Sequence, residues 1–233
     1  MKFTSVPLLA LLAVSSLPAL AIASPEKGLE IAIAADNRDK GFGDTTADMT
    51  MTLTDKYGQS TSRAIRNRTL EGNDEGDKSI VIFDSPGDVR GTAFLSHTKK
   101  TETDDQWLFL PALKRVKRIA SSNKAGPFMG SEFAYEDISS QEVEKYTYNY
   151  LRDETVNGYD CYVIEYDPID PKSGYKRQVV WMDKAEYRLQ KIDFYDRKDS
   201  LLKTLIYSDY NLYLDQHWRA DTMVMTNHQT GKS

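Results

Sequence analysis

The chain is short of the residues from which catalytic and metal centres are usually built. Among its 233 residues there is one cysteine, Cys161, and there are three histidines, His97, His217 and His228. A single cysteine cannot close an internal disulfide, and its setting, Cys161-Tyr-Val-Ile-Glu-Tyr166, reads as a buried strand rather than a reactive thiol. The histidines fall in three separate segments with no HExxH or Cys/His cluster, which leaves a zinc site without support. No serine sits in a nucleophile-elbow sequence, and no glycine-rich phosphate loop is present. The acidic stretch from Asp36 to Asp44 carries Arg38 and Lys40 where a calcium loop needs oxygen ligands, so an EF-hand is rejected. Internal repeats and low-complexity tracts are missing. Beyond the N-terminus no segment is long and apolar enough to span a bilayer.

Charge, by contrast, is plentiful, with 30 Lys and Arg against 35 Asp and Glu. Four carboxylate pairs can be drawn: Asp104-Asp105, Glu136-Asp137, Asp167 with Asp170, and Asp183 with Glu186. A glycosidase needs only two carboxylates at the right separation. With 35 acids such pairs arise by chance, and solvated turn residues are the simpler reading.

The N-terminus reads as a signal peptide spanning residues 1–23. One positive charge, Lys2, precedes an apolar run from Val6 to Ile22, and Ala21-Ile22-Ala23 is a small-x-small cleavage signal. Cleavage after Ala23 leaves 233 − 23 = 210 residues, which suits one domain over residues 24–233. The remaining 29 basic and 35 acidic residues give 29 − 35 = −6, which argues against a nucleic-acid binder. No cysteine follows the cleavage point for acylation, so the expectation is a soluble, exported monomer.

The mature chain opens with a helical pattern over Pro25–Ala35, in which Leu29, Ile33 and Ala32 share one face. The period then changes to two. In Ala47-Asp-Met-Thr-Met-Thr-Leu-Thr54, Ala47, Met49, Met51 and Leu53 point one way and the polar residues the other. Further strands are expected over 60–70, 79–83, 92–96, 106–110, 116–119, 144–154, 159–166, 175–182, 189–195, 201–208 and 218–226. Asn157-Gly158 is a hairpin signal between two of them. A second short helix is expected near Ser131–Ile138. Strands at this spacing predict a mainly β protein built on a large antiparallel sheet, sandwich or barrel. The stretch from Asn227 to Lys232 reads as a turn that leads onward, so one or two further strands are expected past Ser233.

A large sheet must cover its apolar face with a second sheet, with helices or with a ligand. The residues assigned to that face are Met49, Met51, Leu53, Phe83, Phe94, Trp107, Phe109, Ile164, Trp181, Ile192, Phe194 and Met223. An ordinary core has the same pattern, and a one-residue slip of register inverts each assignment. The densest charge cluster is Lys114, Arg115, Lys117 and Arg118, suited either to docking on an anionic membrane or an acidic partner, or simply to a solvated hairpin.

Longer blocks add a family resemblance. Gly41-Phe-Gly-Asp44 with Met49-Thr-Met-Thr-Leu53, then Gly87-Asp-Val-Arg-Gly-Thr-Ala-Phe-Leu95, resemble the LolA-like outer-membrane lipoprotein-sorting proteins. The most specific stretch runs Asp104-Asp-Gln-Trp-Leu-Phe-Leu-Pro-Ala-Leu-Lys-Arg-Val-Lys-Arg-Ile119 and continues into Gly126-Pro-Phe-Met-Gly-Ser-Glu-Phe-Ala-Tyr-Glu-Asp-Ile138. Val180-Trp-Met-Asp183, Phe194-Tyr-Asp196, Leu201-Leu-Lys203 and Met225-Thr-Asn-His-Gln-Thr-Gly231 extend it along the chain. The resemblance implies a LolA/LolB-like half-open antiparallel barrel closed by short lid helices, here Pro25–Ala35 and Gly126–Ile138. It implies a periplasmic, non-enzymatic carrier of a lipid or acylated lipoprotein, working without a cofactor beside an RND-type (MMPL-like) exporter. A transporter subunit that carries nothing, and a β-rich hydrolase, are the alternatives.

Overall fold

The computed structural model describes residues 24–72 and 75–233, so the signal-peptide reading of residues 1–23 lies outside it. Twelve strands form two six-stranded antiparallel sheets, which do not close on each other, and in each sheet spatial order equals chain order. The first is β1 (Asp44–Thr54), β2 (Ser60–Leu70), β3 (Lys78–Ser85), β4 (Ala93–His97), β5 (Asp105–Leu110) and β6 (Arg115–Ile119). The second is β7 (Tyr146–Val156), β8 (Tyr159–Pro168), β9 (Tyr175–Asp183), β10 (Leu189–Asp196), β11 (Leu201–Tyr213) and β12 (His217–Asn227). This is the mainly β, antiparallel architecture that the strand spacing predicts, in the half-open form that the resemblance implies. Alternation does much of the work. Along β1 half-buried and exposed residues alternate, and Asn157-Gly158 turns β7 into β8 with φ of 52° and 83° at the two turn positions. Past β12, Ser233 exchanges two backbone hydrogen bonds with Thr54 at the end of β1, of 2.7 and 3.0 Å.

The N-terminal helix α1 spans Pro25–Asp39, longer than the pattern suggested. Ser24 caps it, its hydroxyl accepting from the Lys27 N–H at 3.2 Å, and Pro25 occupies the first turn, where its missing N–H goes unnoticed. The buried face is Gly28, Ile31 and Ala32, whereas Leu29 and Ile33, expected inside, are exposed. The cause is a close approach. A Cβ at Gly28 would lie 2.8 Å from the Tyr150 backbone nitrogen, so the helix meets β7 along the line of its one glycine. Ser24 also exchanges backbone hydrogen bonds with Tyr150, of 3.1 and 3.0 Å, and so satisfies part of the free edge of β7.

The two sheets are joined by residues 120–145, and here the reading needs correction. The helix expected near Ser131–Ile138 is absent. The segment has only single 3-10 turns at Ser121–Asn123, Phe128–Gly130, Tyr135–Asp137 and Val143–Lys145. Met129 takes φ 51°, and the Phe128 N–H donates to the Phe133 carbonyl at 2.6 Å, which folds the chain into a tight loop. The crossover is also not a lid. Phe128 is buried against Phe83, Phe94 and Tyr135, at ring-centroid distances of 5.9, 5.2 and 5.6 Å. Asp137 reaches the other sheet and takes hydrogen bonds from Lys203 Nζ at 2.7 Å and the Tyr175 hydroxyl at 2.8 Å. Phe133 packs against the cores of both sheets. The segment fills the space between the inward faces.

Candidate functional site

Cross-strand registers settle which residues face inward. In the first sheet, Ala47, Asn67, Val81, Phe94, Leu108 and Lys117 lie opposite one another in one row, with Met49, Ile65 and Phe83 in the next. In the second, Tyr150, Ile164, Val180, Ile192, Leu205 and Met225 form a row. Met49, Met51, Leu53, Phe83, Phe94, Ile164, Ile192, Phe194 and Met223 therefore point inward, as the alternation implied. Trp107, Phe109 and Trp181 do not. Trp107 pairs with Leu95 and Arg118, Phe109 with Ala93 and Val116, and Trp181 with Val163 and Lys191, all on the outer faces. The strand β5 is apolar at Trp107, Leu108, Phe109 and Leu110, so its alternation carries no sign. Trp181 lies in the similarly apolar run Val179-Val-Trp-Met182.

Inward-facing residues are also not all groove residues. Phe83 and Phe94 are covered completely by the crossover, and Ile164 and Ile192 belong to a solid core. The open space lies elsewhere. A cavity of about 710 Å³ is bounded by α1, the inner face of the second sheet and the end of the crossover from Ser139 to Glu144. Of the twelve residues expected to line a groove, Met223 alone reaches it. Its buried wall is Ala32, Tyr148, Tyr166 and Met182, extended by Ala35, Leu189 and Tyr207. The signal for these lies in the tyrosines. Tyr146, Tyr148 and Tyr150 alternate along β7, a period-two aromatic pattern that marks one face.

The wall is uncharged. Burial pushes the Tyr148, Tyr166 and Tyr207 hydroxyls above their ordinary range, so they stay protonated. Tyr148 donates to the Val143 carbonyl at 2.9 Å and pins the crossover end to the sheet. Charge collects at the rim, and there it is largely paired. Arg219 meets Asp39 at 2.5 Å, Lys40 meets Asp36 at 2.5 Å, and Arg38 pairs with Glu186. Glu71 takes the N–H groups of Gly41 and Gly43, each at 2.7 Å, and these bonds, Gly41 first, lower its pKa. Burial raises the Glu142 carboxyl, with Asp77 adding to the shift.

Apart from Asp167, the carboxylates drawn as acid/base pairs have structural partners. Asp183 accepts from the N–H groups of Ala185, Glu186 and Arg188 and from the Arg188 guanidinium. Glu136 holds Ser173 and the Gly174 N–H, Asp104 holds Lys145, Asp105 holds Lys99 and Arg118, and Asp170 holds Lys124 at 2.7 Å. The three histidines are dispersed: His97 stacks edgewise on Trp107, His217 on Phe42, and His228 bonds Thr204. Among the described residues no three His, Cys, Asp or Glu side chains are grouped to hold a metal. The basic cluster lies at the tip of the β5–β6 hairpin and along β6, an exposed edge strand.

Comparison with known proteins follows this geometry. A family model described only as an uncharacterized protein family matches residues 75–233. No curated protein sequence matches the chain. Among solved structures, an outer membrane lipoprotein-sorting protein domain from Vibrio parahaemolyticus superposes with a TM-score of 0.88, at 59% identity, over 90% of this chain and 88% of its own. A DUF1329 family protein from Desulfovibrio piger gives 0.84 at 30% identity, over 89% of this chain and 88% of its own. A LolA superfamily protein from Nitrosomonas europaea shares the fold, with a TM-score of 0.69 at 24% identity over 88% of each chain. The chain belongs to the same family as the lipoprotein-sorting domain from Vibrio parahaemolyticus and the DUF1329 protein from Desulfovibrio piger, and its fold is LolA-like.

Proposed function

We propose that the protein is a periplasmic carrier that shelters an acyl chain of a lipid or lipoprotein in the cavity beneath α1, and that it does so without catalysis. The observation that carries this reading is the division of the cavity into an uncharged wall of Ala32, Tyr148, Tyr166 and Met182 and a charge-paired rim. Its volume, about 710 Å³, is in the ordinary range for an organic ligand. Each methylene transferred from water to that wall contributes about 0.8 kcal/mol, so a single acyl chain supplies several kcal/mol with no reacting group. The polar end of the cargo then sits at the rim, among Asp36, Arg38, Asp39 and Lys40. Release needs the space to open, and α1 is the movable wall, because one helix on a glycine contact separates more readily than a sheet. A membrane transporter of the RND type is the partner this scheme needs for loading or unloading.

Native mass spectrometry of the mature protein purified from a bacterial periplasm, with lipid extraction, tests the reading. A stoichiometric lipid or acylated peptide supports it, and Ala35→Trp, which puts an indole into the cavity, abolishes that adduct without unfolding the sheets. A clean apo mass that takes up neither phospholipid nor lipopeptide sinks it in favour of a transporter subunit without cargo.

A further inference from the structure

Five tyrosines among the described residues line the cavity, and they divide by what their hydroxyls do. Tyr148 donates to the Val143 carbonyl at 2.9 Å, and Tyr210 donates to the Leu189 carbonyl. Tyr187 stands beside Glu186 in the turn after β9, at the rim. Tyr166 and Tyr207 are different. Tyr166 is 5% exposed, and Tyr207 packs against the same core. Neither hydroxyl meets a hydrogen-bond partner among the described residues, and neither is sealed off by protein, so both open on the cavity. Burial keeps each phenol protonated, so each has a proton to donate. Their places follow from the registers. Tyr166 pairs with Tyr148 and lies two residues beyond Ile164, whereas Tyr207 pairs with Met223 and lies two residues beyond Leu205. The two rings therefore stand on the inward face, on opposite sides of the row through Ile164, Val180, Ile192 and Leu205.

We propose that Tyr166 and Tyr207 select an ester-linked acyl lipid, by donating hydrogen bonds to its ester carbonyls. The proposal rests on the carrier reading and names the part of the cargo that the wall recognises. Buried hydroxyls in folded proteins are almost always bonded, and a site that leaves one unpaired discriminates against the ligand responsible. The wall around the two phenols, Ala32, Met182 and Leu189, has no polar side chain. A hydrocarbon chain alone would leave both protons unused. A free fatty acid would bring a charge into an uncharged wall, away from the cations of the rim. An alcohol accepts a hydrogen bond but adds a proton of its own, for which this wall has only the phenol oxygens. An ester carbonyl accepts and carries no proton, and a diacyl lipid brings two of them. An ether oxygen at the same place is a much weaker acceptor, which makes the linkage itself the discriminating feature.

Calorimetric titration of the delipidated mature protein with a short-chain diacyl phosphatidylcholine, and with its dialkyl ether analogue of the same chain length and headgroup, tests the proposal. Both lipids are kept below the concentration at which they form micelles. The expected result is that the ester binds at least about tenfold more tightly than the ether. Tyr166→Phe and Tyr207→Phe keep the rings and remove only the hydroxyls, and the urea midpoint serves as a control for folding. Each lowers affinity for the ester about fivefold and leaves affinity for the ether unchanged, so the double variant no longer tells the two lipids apart. Equal affinity of the wild type for both lipids overturns the proposal and leaves the carrier reading standing. Variants that weaken ester and ether alike also overturn it, because that is the behaviour of rings that only shape the wall. Binding of neither lipid overturns this proposal and the carrier reading together.

Discussion

Phe128 replaces what in an open barrel would be ligand. Its ring sits on Phe83 and Phe94 at 5.9 and 5.2 Å and is almost wholly buried, so it fills the inner face of the first sheet at those two residues. Phe128→Ala removes the ring from a site held on three sides, and the expected cost is about 3–5 kcal/mol in urea unfolding. Asp137 and Lys203 are the second tie, with 7% and 4% of their side chains exposed. Lys203→Met leaves the Asp137 charge buried without its cation and should cost about 3–5 kcal/mol, part of which is recovered in Asp137→Asn with Lys203→Met. A double-mutant cycle in urea measures that recovery. Glu71 gives the pH dependence. Its folded pKa lies below the ordinary 4.5 because the Gly41 and Gly43 N–H groups favour the ionised form. The stability it adds is complete above the unfolded value and is lost as pH falls through the lowered folded value. Thermal melts between about pH 6 and about pH 3 should therefore fall more steeply for the wild type than for Glu71→Gln. An equal slope would remove Glu71 from the account.

At the scale of elements, α1 depends on one position. A side chain at Gly28 meets backbone atoms of Asn149 and Tyr150 at 2.9 and 2.8 Å, and backbone cannot turn aside. Gly28→Val should lift the helix, lower stability by about 2–3 kcal/mol through exposure of Ile31, and leave both sheets intact. Hydrogen exchange reports this directly, as fast exchange confined to residues 25–39 and to the covered edge of β7. Strand positions were legible from composition and spacing: the 60–70 and 175–182 segments match β2 and β9 at both ends or within one residue. The helix face was not, since Leu29 and Ile33 are the larger side chains and a hydrophobic pattern cannot reveal that a glycine sets the contact line. The crossover was illegible for a related reason. Its loop at Met129 and its buried ion pair are tertiary arrangements that leave no local period. Where β5 and β9 are apolar on both faces, Trp107, Phe109 and Trp181 were placed on the wrong side, while Tyr148, Tyr166 and Tyr207 passed for ordinary strand residues.

The whole molecule carries a tyrosine-lined cavity under α1. It also has a connectivity with consequences in time. Every ladder of β1–β6 is formed from residues 44–119, and every ladder of β7–β12 from residues 146–227. Each half can thus complete its hydrogen bonding while the other is still unstructured, with short loops and low sequence separation. The crossover cannot. Phe128 needs the first sheet, while Asp137 needs Lys203 and Tyr175 of the second. Its ordering is expected as the last event, a slow docking phase seen after both sheets have gained their backbone protection in pulse-labelling exchange. During synthesis the first meander can assemble before the second is made, and until Phe128 seats, Phe83 and Phe94 face water. The interval before the crossover closes is when this chain is most exposed to aggregation, and when a chaperone would find it.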